Sequence, residues 1–292
     1  MRVAYHIGAH CTDEGQLLKS LQKNHEFLDD RSIFVPLNHK YRSAIRDVIV
    51  RLRGAPAGED AQDLLLSEIM GDKEADRLIL SFDHFLGGPA RVLDEGMLYP
   101  TAAERSKWLT NLFPDDPCDL FFAIRDPASF LPAVYSKVSG EMSFADFLKG
   151  LDPRDLSWTD VILRIRDANP DCTLTVWCNE DTPLIWPTVL REVTDLDQLV
   201  QLDGEYDVIR SIMKPRGFKQ MLQYLESRPP QSEIQRRRVM AAFLDKFADE
   251  GKLAEEFDLP GWTDALMDEL SALYEEDAYE IERLAGVNMI TT

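Results

Sequence analysis

Five short runs of this chain, residues 3–7, 33–35, 78–82, 120–124 and 174–177, are apolar almost throughout. A strand with no polar side must be covered on both faces, the condition of a parallel sheet enclosed by crossover helices. The segments between the runs carry helical spacing, so the alternation predicts an α/β fold over residues 1 to about 180. It opens with a strand–turn–helix unit at residues 1–21.

Helix start signals punctuate the same region. Thr101 with Glu104 reads as a capping box ahead of Trp108, Leu109, Leu112 and Phe113. Ser143 with Asp146 opens residues 144–149, with Gly150 as the stop, and Ser157 with Asp160 opens residues 161–168. Pro183 suits a first helical position before residues 184–193. Residues 54–58 read as the clearest flexible loop.

Beyond about residue 200 no strand pattern is found. Phe218, Met221, Leu222 and Leu225 share a helical face that ends at Pro229 and Pro230, and Val239, Phe243 and Phe247 recur at spacing four. A last helix over residues 264–284 is expected to bury Leu266, Leu270, Leu273, Tyr274 and Ile281. The expected organisation is a core at residues 1–200 and a helical region at 201–292 packing on it.

Charge narrows the partners. With 52 acidic against 32 basic residues, the net charge of −20 opposes nucleic acid and anionic membrane. A small anionic ligand requires local dipoles and arginines that reverse the field. No apolar run reaches the roughly 18 residues of a membrane span, and residues 2–7 are too short for a signal-peptide core. The expectation is a cytoplasmic protein with Cys11, Cys118, Cys172 and Cys178 as free thiols, and no metal-ligand spacing.

Ligands of parallel sheets bind outside the carboxyl ends of the strands. That edge selects Gly8, Ala9, His10, Cys11, Thr12, Asp13, Glu14 and Gly15 after the first strand. It selects Asp83 and His84 after the third, Arg125 after the fourth, and Asn179 and Glu180 after the fifth. Thr12 or Asp13 signals a helix N-terminus, followed by Leu17, Leu18 and Leu21 on one face. Such an N-terminus is an anion seat; alternatively Asp13 and Glu14 complete it themselves. Arg125 is placed either to fork onto a phosphate or to pair with Asp126 or another carboxylate.

The string His6-Ile7-Gly8-Ala9-His10-Cys11-Thr12, with Ile124-Arg125-Asp126-Pro127 and Tyr135, resembles the sulfotransferase family in its bacterial and glycosaminoglycan-type branch. Leu273-Tyr274-Glu275-Glu276-Asp277 is similar to the family's closing helix. The resemblance implies a P-loop NTPase-like three-layer fold with a five-stranded parallel sheet. It implies transfer of a sulfuryl group from 3′-phosphoadenosine 5′-phosphosulfate to a small acceptor, with no metal. Residues 8–15 would hold the 5′ end of that donor, Arg125 and Tyr135 the 3′-phosphate, and Asp83 would take the acceptor proton.

Departures from the pattern are specific. The family's loop lysine aligns with Cys11, the following glycine and threonines with Asp13, Glu14 and Gly15, and the 3′-phosphate serine with Ala133; Ser136 lies elsewhere on the helix. His10 and His84 are the candidates for acid–base work in compensation, and Cys11 at a helix N-terminus for a lowered thiol pKa. Two functions therefore stand: a sulfotransferase, or a catalytically inactive nucleotide- or anion-binding or interaction protein with the same fold. A nucleoside triphosphatase lacks its Gly-x-x-x-x-Gly-Lys-Ser/Thr loop. Arg236, Arg237 and Arg238 read as a solvated face, Trp177, Trp186 and Trp262 as core, and Glu275, Glu276 and Asp277 as solvent-facing.

Overall fold

In the computed structural model, which describes residues 1–94, 96–198, 200–253 and 257–292, strands and helices alternate as the periodicity requires. Strand β1 (Arg2–His6) is followed by α1 (Gln16–Gln22) and α2 (His25–Asp29). Strand β2 (Ile33–Phe34) leads through α3 (Asn38–Leu52) and α4 (Glu59–Met70) to β3 (Arg77–Ser81). A short antiparallel pair, β4 (Leu93–Asp94) and β5 (Met97–Leu98), precedes α5 (Ala102–Thr110) and β6 (Cys118–Ile124). Helices α6 (Pro127–Ser136), α7 (Phe144–Leu148) and α8 (Trp158–Ala168) connect to β7 (Thr173–Cys178), then α9 (Thr182–Thr194). Five further helices follow, α10 (Asp207–Ile212), α11 (Pro215–Ser227), α12 (Glu233–Phe247), α13 (Glu250–Leu253) and α14 (Asp264–Glu282), before β8 (Val287–Ile290).

The main sheet runs β2-β3-β1-β6-β7-β8, with every neighbouring pair parallel. It has six strands, one more than expected. Strand β8 escapes a sequence reading because Val287-Asn288-Met289-Ile290 is short, contains a poor strand former and lies at an edge. Side chains alternate between the two covered faces. Tyr5, Leu80, Phe122 and Val176 enter one apolar cluster, while Ala4, Ile79, Phe121 and Trp177 enter the other. Helices cover both faces, which gives a three-layer α/β arrangement.

Local signals worked where partners are local. Ser143 Oγ accepts from Asp146 N–H and Ser157 Oγ from Asp160 N–H. Thr101 does not cap α5; its hydroxyl donates to the Leu86 carbonyl at 3.3 Å. Residues 54–58 are less open than expected, because Ala57 is buried and Gly54 packs beneath Trp108. At Gly54, where φ is +76°, an added Cβ would lie 1.9 Å from the indole.

In the last helix Leu270, Tyr274 and Ile281 are buried, but Leu273 lies off that stripe and is exposed. Asp277 turns inward rather than to solvent. Its carboxylate accepts from Thr159 N–H at 3.1 Å, from Ser157 Oγ at 3.1 Å and from Trp158 N–H, and so caps α8. Arg236 is likewise buried, paired with Glu205 at 3.5 Å and Glu233 at 3.2 Å. Trp177, Trp186 and Trp262 are core side chains as expected. No helix among the described residues is long and apolar enough to cross a membrane.

Candidate functional site

The parallel register brings the carboxyl ends of β1, β3, β6 and β7 to one edge of the sheet. Pairing of β1 with β6 continues into the first loop. Ile7 N–H donates to the Phe121 carbonyl at 3.0 Å, Ala9 N–H to Ala123 at 2.9 Å, and Ala123 N–H to Gly8 at 2.8 Å. Gly8 holds φ at +119°, and a Cβ there would sit 3.5 Å from the Asp83 carbonyl oxygen. Glycine is therefore required where β1 and β3 diverge.

Helix α1 begins later than its sequence signals indicate, at Gln16 behind a left-handed Gly15. Asp13 turns the chain. Its carboxylate accepts from Gly15 N–H at 3.2 Å and from Leu17 N–H at 2.9 Å. These are the donors that an incoming anion would need, and a side chain of the loop already holds them. Thr12 faces inward, its hydroxyl donating to the Ala9 carbonyl at 2.8 Å. Glu14 is paired with Lys137 at 3.0 Å, which raises the lysine pKa. Lys137, just past α6, is the cation that sequence reasoning missed, because 123 residues separate it from its partner.

His10 lies beneath the loop, 2% exposed. Its backbone N–H donates to Tyr99 Oη at 3.0 Å, while its Nδ1 lies 2.6 Å from the same oxygen. The phenol and Nδ1 thus share one short hydrogen bond, while Nε2 is buried without a partner among the described residues. Burial, reinforced by neighbouring His84, pushes the His10 pKa down to about 4. The two imidazole centroids are 5.1 Å apart. His84 and Asp83 are about two-fifths exposed, and their closest approach of 3.9 Å is too long for a hydrogen bond. Cys11 is buried rather than activated; desolvation and then Glu14 push its thiol up to about 11.

Arg125 is buried with its guanidinium turned into the protein. Nη1 donates to the Cys11 carbonyl at 2.6 Å and Nε to Ser129 Oγ at 2.9 Å. Its own carbonyl accepts from Trp158 Nε1 at 2.8 Å. Tyr135 points away from the loop: its hydroxyl donates to the Met142 carbonyl at 3.2 Å, and its ring packs on Phe144 and Phe147. Ser136 hydrogen-bonds the Ala133 carbonyl at 2.6 Å within its own helix. After β7, Glu180 accepts from Asp126 N–H at 3.0 Å and Tyr274 Oη at 2.8 Å, which ties α14 to the rim.

The geometry thus gathers Gly8–Gly15, His10, Asp83, His84 and Arg125 at one edge, adds Lys137, and leaves Tyr135 outside. Of the acid–base and thiol candidates, Asp83 and His84 are open to solvent, while His10 and Cys11 are buried. Among the described residues no cluster of histidine, cysteine and carboxylates is arranged to hold a metal ion. Compared with known proteins, the chain matches no family model, no curated protein and no solved structure.

Proposed function

We propose that this chain is a sulfotransferase-like protein of P-loop type that keeps the fold as a binding or interaction module and does not turn over 3′-phosphoadenosine 5′-phosphosulfate. The observation carrying this reading is the Asp13 carboxylate on the N–H groups of Gly15 and Leu17. A donor phosphosulfate would have to displace a carboxylate bound by charge-assisted hydrogen bonds, and would then meet like charge. Arg125, engaged with Cys11 and Ser129, supports the same reading at the other end of the donor.

Thermal denaturation with millimolar adenosine 3′,5′-bisphosphate tests it. A nucleotide bound at the first loop raises the midpoint by mass action, so no shift that depends on Arg125 is expected from the wild-type protein. A shift of several degrees that disappears in Arg125→Ala would overturn the proposal.

One observation favours the enzyme reading. Lys137 brings a permanent positive charge to the loop from outside it, where Cys11 supplies none. Under that reading Lys137 would stabilise the transferring group and Asp83 would accept the acceptor proton. Sulfuryl transfer to a panel of hydroxyl acceptors, abolished in Lys137→Ala, would establish it.

A further inference from the structure

A cleft of about 750 Å³ opens beside the carboxyl end of β3, between α3 and the segment leading to α5. One wall is a stripe of α3 in which His39, Arg42, Arg46 and Ile49 recur at spacings of three and four. Facing it stand Arg91, in the short turn Pro89–Arg91, and Arg105 of α5. The apolar surface comes from Phe82, Phe85 and Ile45. Among the described residues no aspartate or glutamate lines the cleft, although acids outnumber bases by 52 to 32 in the chain.

The guanidinium groups are held without being neutralised. Arg42 lies over the Phe82 ring at 4.7 Å and Arg105 over Trp108 at 5.0 Å, contacts that occupy their flat faces and leave N–H edges available. Among the described residues, Arg42, Arg91 and Arg105 have no carboxylate within 4.0 Å, and Arg46 alone pairs, with Asp47 at 3.2 Å. Arg105 Nε is buried and has no hydrogen-bond partner there. Converging, unpaired guanidinium groups repel one another, which an anion relieves, and they offset the negative field of the chain locally, which lets an anion approach.

We infer that this cleft binds a small polyanion carrying two or more phosphate or sulfate groups on a carrier with an apolar face. Planar guanidinium forks match tetrahedral oxyanions bidentately, which ammonium groups do not. The volume falls within the roughly 300–1,000 Å³ of small-ligand sites. Phe85 and Ile45 would face the carrier while the arginines on both walls hold its anionic groups. The cleft shares His84 with the rim and none of residues 8–15, so its occupancy is independent of whether that first loop accepts a nucleotide.

Isothermal titration calorimetry with sodium pyrophosphate and with sucrose octasulfate tests the assignment, the two probes separating phosphate from sulfated-carbohydrate recognition. At least one should bind with a dissociation constant below about 1 mM, weakening as salt is added. The double substitution Arg42→Ala/Arg91→Ala should weaken that binding at least about tenfold, with partial recovery in Arg42→Lys/Arg91→Lys. Arg216→Ala, an equal charge change on exposed α11, should leave it unaltered. Because Arg42 and Arg91 are exposed, the unfolding midpoint of the double variant should match wild type. Absence of binding by both probes, or full affinity in the double alanine variant, would refute the site.

Discussion

At the residue scale, His10 links the first loop to stability. The folded protein holds it neutral down to about pH 4, whereas an unfolded histidine protonates near its ordinary value of 6.5. Between those values the unfolded state binds more protons, so stability falls as pH drops from 6.5 to about 4 and levels off below. A displacement of that size corresponds to about 3 kcal/mol. Buried His6, hydrogen-bonded to Ser81 and also held below its ordinary value by burial, adds in the same direction. Urea unfolding across this range, for wild type and for His10→Gln, isolates the His10 contribution. The difference between the two curves should shrink toward low pH; a constant difference would mean that His10 is not held neutral. His10 was legible as a rim residue from its place after an apolar run, but its partner Tyr99, 89 residues away, was not.

Among the elements, α8 depends on α14. Its first turn is capped by Ser157 locally and by Asp277 from a helix 120 residues later. Asp277→Ala should cost about 1–2 kcal/mol in chemical denaturation, more than removal of an ordinary exposed cap, because it leaves the Trp158 and Thr159 N–H groups without their acceptor. An effect no larger than about 0.5 kcal/mol, the scatter typical of surface changes, would show that Ser157 suffices. Serine caps were readable because donor and acceptor lie within one turn. The roles of Thr101 and Asp277 were not, because a side chain three residues from a suitable N–H still takes a better partner that the fold brings near.

For the molecule as a whole, the end of the sheet opposite the rim is held by buried charge. Arg77 Nη1 pairs with Asp119 at 2.7 Å, and Asp119 also accepts from Arg2 at 2.9 Å and Thr173 at 2.6 Å, tying β1, β3, β6 and β7 together. Arg77 Nε donates in turn to the Val193 carbonyl at 2.9 Å, fastening α9 to the sheet. Removing one partner strands a buried charge, so Asp119→Ala should destabilise by about 3–5 kcal/mol. Calorimetry should then find a lowered melting temperature with unchanged probe affinity in the arginine cleft at a temperature where the variant is folded. A loss below about 1 kcal/mol would mean that water replaces the carboxylate.

The amino-acid order by itself determined five of the six strands of the main sheet, most helices and the edge of the sheet where chemistry would gather. Apolar periodicity and caps are short-range properties, and parallel strands have one carboxyl edge. Only the tertiary structure decided what stands at that edge. It placed Asp13 on the helix N–H groups, brought Lys137 to Glu14, turned Arg125 inward to Cys11 and sent Tyr135 elsewhere. It also assembled four arginines from α3, the turn after β3, and α5 into one cleft. The physical reason is common to all of these. A charged or polar side chain has many adequate partners in an unfolded chain, and crossover topology, not neighbouring sequence, selects which one arrives within hydrogen-bond distance.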